Sequence, residues 1–226
     1  MVILAAAVLS IPGKHPVVCI DPGHPSEVGR GAHGKRLTEV HANWLVATEL
    51  KALLVKDGYR VVLTKRSEGE KVTNQRRAEI ANQAHADLFL RLHCDGAKGS
   101  GYAVYFPAEA GRIGKVSGPS EGVRQTSHRA ASRICEAMDA SLAGKLQSNG
   151  VKPDTKTAVG SQHGALIGSI FSRVPVVLVE MVTLTNPDDG RFMEEAGSRT
   201  RMVRALEQGV RAWCVSTTKS KAAIGR

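Results

Sequence analysis

The stretch Val17-Val18-Cys19-Ile20-Asp21-Pro22-Gly23-His24 decides the fold, because it reads as a short buried strand that ends in a Pro-Gly break and an imidazole. Two later apolar runs end in a similar way. Residues 88–92 lead into His93, and residues 176–179 lead into Glu180. Groups that follow the strands of an α/β sheet meet at its carboxyl edge, where ligands usually bind. The sequence therefore predicts a functional site at that edge.

Strand patterns and helical patterns alternate along the chain. Strands are expected at 17–20, 59–64, 88–92, 102–106 and 176–180, and helices at 38–57, 73–86, 124–146 and 187–213. Residues 107–123 and 148–164 read as loops, and 165–170 as an ambiguous segment or a strand. This alternation predicts one three-layer α/β domain. A hairpin-like step from 88–92 to 102–106 makes the predicted sheet mixed, although mostly parallel.

The length and charge of the chain limit the classes of function. Its 226 residues suit a single α/β domain with a full core. A net charge of +10 favours a polyanionic partner, either nucleic acid, an anionic membrane surface or an acidic cell-wall polymer, beside the plainer explanation of solubility. Aromatic residues make up only 4% of the chain, so base stacking has little support and no nucleic-acid partner is expected.

The cysteines do not form a recognisable metal or disulfide pattern. They are widely spaced, with no Cys-x-x-Cys pair, at Cys19, Cys94, Cys135 and Cys214. Cys19 and Cys94 are expected to be buried thiols. Cys94 adjoins His93, but neighbours along a strand point to opposite faces, so the two are not expected to share a metal.

The two ends of the chain differ from the predicted domain at 17–215. Residues 1–10 are apolar but too short to span a bilayer. This N-terminal segment, 1–16, reads as the remnant of an export signal, as a disordered start or as an edge strand. Residues 216–226 are polar and basic, which predicts a disordered tail. No other transmembrane segment is predicted.

The predicted site has the composition of a hydrolytic metal centre. Zinc readily binds histidine nitrogen and carboxylate oxygen, which His24, Glu39 and His93 offer together. Hydrolytic zinc sites usually keep three protein ligands and leave one position for water. Glu180 is the candidate that takes the proton of this water and later protonates a leaving amine. Singly, each group also has an ordinary explanation, such as a surface histidine or a carboxylate at a helix start.

Several motifs in a fixed order resemble the zinc-dependent N-acetylmuramoyl-L-alanine amidases of the amidase type 3 family, which act in bacterial cell separation and wall lysis. The matching segments lie within residues 17–213 and are Ile20–His24, Gly31-Ala32 with Glu39, 58–65, 86–93, and 175–180 followed by Thr185-Asn186-Pro187. Lys65 stands where this family usually has arginine. The ordered combination is specific, although no single motif would be.

The resemblance implies both a fold and a reaction. It implies a mixed sheet of about six strands flanked by helices, and cleavage of the amide between the lactyl group of N-acetylmuramic acid and the L-alanine of the stem peptide. Carried over residue by residue, it implies one zinc ion per chain bound by His24, Glu39 and His93, with Glu180 as general acid and base. Candidate substrate contacts are Arg77, His163 and Asn186.

The resemblance also implies a setting for the protein. Peptidoglycan is the expected partner of an exported monomer in the periplasm or cell wall. Some members of the family carry a helix that blocks the site until a protein activator binds. Residues 108–150 are the candidate segment here, with occluding carboxylates at Glu109, Glu121 or Glu136, whereas the predicted helix at 124–146 more simply covers the sheet.

Two other classes of function stay open at the level of sequence. One is a zinc amidohydrolase that acts on a different amide. The other is a non-catalytic module that binds cell wall or nucleic acid.

Overall fold

The computed structural model describes residues 15–224, and side chains as far as Ser216. The apolar segment 1–10 lies outside the described residues. The strands are β1 (Val17–Pro22), β2 (Arg60–Leu63), β3 (Leu88–Asp95), β4 (Tyr102–Phe106), β5 (Gly111–Ile113), β6 (Val116–Gly118), β7 (Ser148–Pro153) and β8 (Val176–Thr183). The helices are α1 (Glu39–Lys56), α2 (Asn74–Gln83), α3 (Glu121–Leu142), α4 (Ala158–His163), α5 (Ile167–Ile170), α6 (Pro187–Glu194) and α7 (Ala196–Ile224).

Six of these strands form one mixed sheet in the order β2-β1-β3-β8-β4-β7, which confirms the predicted α/β class and strand number. β2, β1, β3 and β8 are parallel, whereas β4 pairs antiparallel with β8 and parallel with β7. β8 therefore lies between β3 and β4, and the predicted hairpin-like step between those two strands is wrong. The apolar run at 176–179 is buried on both faces, which suits a central strand.

The two faces of the sheet are covered by different helices. α1, α3 and α7 pack on one face, over alternate strand residues such as Leu90 and Leu92. α2 and the short helices α4 and α5 lie towards the other face, where Phe89 joins a separate apolar cluster. Because side chains alternate along a strand, Arg91 and His93 share the face of Phe89. That face carries the site.

Two segments predicted as irregular are regular elements. Residues 148–164 were expected to be a loop, but they contain the edge strand β7, a 3-10 turn at Asp154–Lys156 and helix α4. β7 has the sequence SNGVKP, in which a glycine, a proline and polar residues hide any strand periodicity. Similarly, the ambiguous segment 165–170 contains α5, and residues 107–123 contain the β5-β6 ribbon.

The C-terminal helical region also differs from its prediction. The single helix expected at 187–213 is divided into α6 and α7, with extended backbone at Glu195. α7 continues to Ile224, so the predicted disordered tail is helical as far as the structure describes it. None of the helices within residues 15–224 is long and apolar enough to cross a membrane.

Candidate metal centre

His24, Glu39 and His93 converge at the carboxyl edge of the sheet. Each offers a ligand atom, and these atoms all lie within 4.8 Å of one another. His24 follows β1, His93 lies near the end of the neighbouring strand β3, and Glu39 is the first residue of α1. Adjacent parallel strands and a helix start therefore bring together three residues that are far apart in sequence.

The ring of His24 is oriented by its own loop. Its Nδ1 lies 3.1 Å from the carbonyl oxygen of Gly29. Since a carbonyl oxygen only accepts hydrogen bonds, Nδ1 carries the proton and Nε2 keeps a free lone pair. Nε2 lies 3.6 Å from Oε1 of Glu39, on the side where the three residues meet.

Glu39 is a buried carboxylate held by backbone donors. Helix α1 starts at this residue because the Thr38 side chain caps it by accepting a hydrogen bond from the backbone N–H of His41. The N–H of Ala32 donates to Oε2 at 2.7 Å, and that of Cys94 donates to Oε1 at 3.1 Å. Burial alone would raise the pKa of Glu39, but hydrogen bonding and charge from His93 and His24 hold it at about 2. Glu39 is therefore ionised at neutral pH.

His93 is available as a neutral ligand. Its Nδ1 lies 2.9 Å from Oε1 of Glu39. Burial lowers the pKa of His93, against the opposing effect of Glu39, so the neutral imidazole is favoured. Its Nε2 is buried and has no hydrogen-bond partner in the part of the chain that the structure describes. An unsatisfied buried nitrogen is costly, and the two imidazoles with one carboxylate fit a divalent cation.

Glu180 lies next to this cluster. It is paired in register with His93 on the neighbouring strand β8. Its Oε2 is buried without a hydrogen-bond partner among the described residues. Burial raises the pKa of Glu180 well above its ordinary value, and the charges of Glu39 and Asp95 raise it further. The side chain is thus an acid that retains its proton readily beside the three candidate ligands.

A buried ion network supports the loop of His24, and it corrects the prediction that Arg77 binds substrate. Arg77 is fully buried, with Nη1 2.5 Å from Oδ1 of Asp21 and 2.8 Å from the carbonyl oxygen of Pro22. Its Nη2 donates to the carbonyl oxygen of Pro25 at 3.0 Å. Arg77 therefore fixes the chain on both sides of His24 and has no donor directed at the cleft.

Asp21 and Arg91 complete this network and were missed by the sequence reasoning. Oδ2 of Asp21 accepts a hydrogen bond from Nε of Arg91 at 2.9 Å. Both residues interrupt apolar strands, and a charge inside a buried strand requires a partner. That rule predicts the pairing in principle, although it does not say which charges pair.

A cleft of about 410 Å³ opens over the site. Among the described residues it is lined by His24, His93 and Glu180 together with Tyr105, Leu178 and Lys156, among others, whereas His163 and Asn186 do not line it. His163 ends α4. Asn186 caps α6, and its Nδ2 donates to the carbonyl oxygen of Gly99. The structure therefore does not bring these two predicted contacts to the cleft.

Helix α3 covers the sheet. It packs against α7 and against β4 and β8, through a face that includes Ile134 and Met138. The three carboxylates considered as occluding ligands, Glu109, Glu121 and Glu136, are exposed and lie outside the histidine and glutamate cluster. The simpler interpretation of this helix agrees with its packing.

Comparisons with known proteins point to one family of amidases. The profile of the Amidase_3 family, described as N-acetylmuramoyl-L-alanine amidase, matches residues 18–212. LytC of Bacillus subtilis is 29% identical over 87% of this chain, which spans only 36% of LytC. Rv3717 of Mycobacterium tuberculosis is 26% identical over 86% of this chain and 84% of its own length. Both are named N-acetylmuramoyl-L-alanine amidases.

Solved structures show the same fold. Ami1 of Mycobacterium smegmatis has a TM-score of 0.71 at 20% identity, covering 89% of this chain and 97% of Ami1. AmiC2 of Nostoc punctiforme has a TM-score of 0.68 at 20% identity, covering 88% of this chain and 97% of AmiC2. With the family profile matching most of its length, the chain belongs to the Amidase_3 family of N-acetylmuramoyl-L-alanine amidases.

Proposed function

We propose that this protein is a zinc-dependent peptidoglycan hydrolase that cleaves the amide between the lactyl group of N-acetylmuramic acid and the L-alanine of the stem peptide. The observation that carries the proposal is the convergence of His24, Glu39 and His93 in an amidase-family chain, with both histidines lining the same cleft as Glu180. The names of the relatives identify the bond that we propose is cleaved, and the side chains of the site suggest how it is cleaved.

His24, Glu39 and His93 are the residues that would hold the metal. Two imidazoles and one carboxylate form the donor set of many hydrolytic zinc sites. A zinc ion supplies Lewis acidity, which polarises a carbonyl group and lowers the pKa of water. The hydrogen bond from Nδ1 of His24 to Gly29 and those from Ala32 and Cys94 to Glu39 keep these two ligands oriented.

Glu180 moves the proton. As water attacks the lactyl carbonyl carbon, the Glu180 carboxylate accepts a proton from it. The carbon–nitrogen bond then breaks, and Glu180 passes this proton to the departing alanine nitrogen. The products are a lactyl carboxylate and a stem peptide with a free L-alanine amine. The raised pKa of Glu180 suits the second step, because it favours the protonated form that donates the proton.

The setting of the proposed reaction is the bacterial cell wall. A net charge of +10 favours docking on anionic wall polymers. A relative from Staphylococcus saprophyticus is named a probable cell wall amidase, which supports an exported location for this chain as well. We expect a monomer. The CwlD amidase of Clostridioides difficile is seen in complex with the GerS lipoprotein, so a protein activator is a further proposal for this chain.

Glu180→Gln tests the proposal with the metal site left intact. We expect zinc bound at one ion per chain, while release of stem peptides from purified sacculi falls by about 10²- to 10⁴-fold. Glu136→Gln, at an exposed site on α3, is the matched control and should lyse sacculi like the wild type. Unchanged lysis by Glu180→Gln would remove this residue from the mechanism.

Analysis of the products tests which amide bond is cleaved. Labelling of new amino termini in digested sacculi should identify L-alanine. A different new terminus would point to another amide, and zinc-free wall binding without any release would point to a binding module.

A further inference from the structure

The register of the sheet shows which residues lie on either side of Glu180 in the cleft. In one row across the strands, His93 of β3 pairs with Glu180 of β8, and Glu180 pairs with Ala103 of β4. Two rows further along the strands, and therefore on the same face, Leu178 of β8 pairs with Tyr105 of β4. The candidate metal ligands lie on the β1 and β3 side of Glu180, and β4 lies on its opposite side.

On the β4 side of Glu180, the cleft has an apolar floor that includes a tyrosine. Ala103, Tyr105, Leu166 and Leu178 form a buried cluster, and Tyr105, Leu166 and Leu178 line the same cleft as His93 and Glu180. The Tyr105 side chain makes no hydrogen bond to any described residue, and its hydroxyl is not among the fully enclosed unsatisfied atoms. We read this hydroxyl as the polar group that the floor presents to the cleft.

Tyr102, three residues earlier on the same strand, shows the contrast. It faces the opposite side of the sheet, where its hydroxyl donates to Oδ1 of Asp139 at 2.5 Å. Its hydrogen bond therefore serves the core beneath α3. The two tyrosines differ in what their hydroxyl groups contact, although they belong to one strand.

The hydroxyl of Tyr105 is a donor throughout the neutral range. Burial, followed by the nearby charges of Glu180 and Asp95, raises the pKa of Tyr105 to about 12. A protonated phenol beside an apolar floor suits a neutral acceptor such as a peptide carbonyl.

We propose that the stem peptide runs from the scissile amide over β8 and β4, and that Tyr105 donates a hydrogen bond to a backbone carbonyl oxygen of this peptide beyond L-alanine. The inference rests on the proposed function. Glu180 must reach the departing nitrogen, so the peptide starts at Glu180, and the lactyl carbonyl occupies the side of the metal ligands. The apolar floor around Tyr105 belongs to the same cleft and lies on the side of Glu180 opposite to the metal ligands.

Tyr105→Phe and Tyr102→Phe separate this role from a structural one. The substrates are N-acetylmuramoyl-L-alanine and N-acetylmuramoyl-pentapeptide, assayed with the zinc-loaded full chain. For Tyr105→Phe we expect kcat/KM with the pentapeptide to fall about tenfold, the size of one lost hydrogen bond, with little change for the short substrate. Its zinc affinity and Tm should equal those of the wild type. Tyr102→Phe should lower Tm and leave both kcat/KM values unchanged.

The possible results have different meanings. If Tyr105→Phe cleaves both substrates like the wild type, or loses the same factor on both, the peptide contact is refuted. A loss confined to the pentapeptide supports it. If the wild-type chain binds zinc but releases no alanine amine from sacculi or from either substrate, the proposed function itself fails, whatever the variants do.

Discussion

Nζ of Lys65 lies 2.5 Å from the backbone carbonyl oxygen of His24. The same nitrogen donates to the carbonyl oxygen of Glu68 at 2.8 Å, and Lys65 is 2% exposed. His24 has a φ of 54°, in the left-handed region that non-glycine residues rarely adopt. Such a conformation costs roughly 1–3 kcal/mol and persists only where the surroundings impose it. Lys65 and Arg77 impose it here, because they hold the carbonyl groups of His24, Pro22 and Pro25.

Lys65→Met should therefore weaken the metal site from a distance. Methionine keeps the apolar stem but removes the cation that holds the His24 carbonyl. We expect zinc affinity to fall about tenfold, as for other residues that orient metal ligands, with the fold retained. Competition with a chromophoric chelator measures the change. Lys65→Arg should recover most of the affinity, and equal affinity of Lys65→Met and the wild type would show that the lysine does not position His24.

Gly31 is a second position on which the metal site depends. It has a φ of +81°, and a Cβ placed there would lie 2.4 Å from Oε2 of Glu39. Gly31→Ala should therefore displace Glu39 and lower zinc affinity by about one order of magnitude or more.

Gly114 offers the matched control for this substitution. It has a φ of +58° and open space around its Cβ position, so Gly114→Ala brings similar backbone strain, about 1–2 kcal/mol, without contact with a ligand. Both variants should lose stability in urea unfolding, and only Gly31→Ala should lose zinc. An equal effect of the two on zinc affinity would refute the steric argument.

The sequence predicted the positions of the candidate site residues better than it predicted the elements and contacts around them. His24, His93 and Glu180 were recognisable because each ends an apolar run, and strand ends of an α/β sheet converge. The central strand β8 was recognisable for the same reason. By contrast, the edge strand β7 contains Gly150 and Pro153 and buries little, so its pairing with β4 depends on tertiary context that no local pattern encodes.

The structure does not place the three candidate substrate contacts in the cleft, and the reason is different. Arg77 was a candidate substrate contact, but Asp21, near the end of an apolar strand, accepts a hydrogen bond from one of its donors. A single sequence shows that a buried carboxylate needs a partner, without showing which of the 31 basic residues provides it. Contacts made by short helices and turns, such as those of His163, depend on loop geometry that periodicity does not determine.

Asp21→Asn should destabilise the fold strongly. Burial opposes ionisation of Asp21, but Arg77, Arg91 and Thr64 hold its pKa well below the usual range. Removing the carboxylate leaves two buried guanidinium groups without their counter-ion, which typically costs about 3–5 kcal/mol. Urea unfolding at pH 7 measures this loss.

Asp188→Asn is the exposed control, since its pair with Arg191 lies on the surface and should contribute less than about 1 kcal/mol. The direction in which the cost of Asp21→Asn changes with pH follows from the lowered pKa of Asp21. The contribution of Asp21 is present above the unfolded pKa of about 4 and is lost as the pH falls towards the folded pKa, so the cost of Asp21→Asn should shrink in acid. A constant difference across this range would contradict the ionic role.

Ionisation of Asp154 changes the stability with pH in the opposite direction to ionisation of Asp21, and Asp154→Asn tests this. Burial raises the pKa of Asp154 from 3.8 to about 6, although the N–H of Leu166 donates to its Oδ2 at 2.9 Å. The folded state therefore binds this proton more tightly than the unfolded chain, and stability falls as the pH rises from about 4 to about 6. Asparagine keeps an acceptor for Leu166, a residue of the cleft wall, without a charge to bury. Relative to the wild type, the free energy of unfolding of Asp154→Asn should increase by up to about 3 kcal/mol between pH 4 and pH 7. If the two proteins have parallel profiles of stability against pH, Asp154 ionises normally in the folded state.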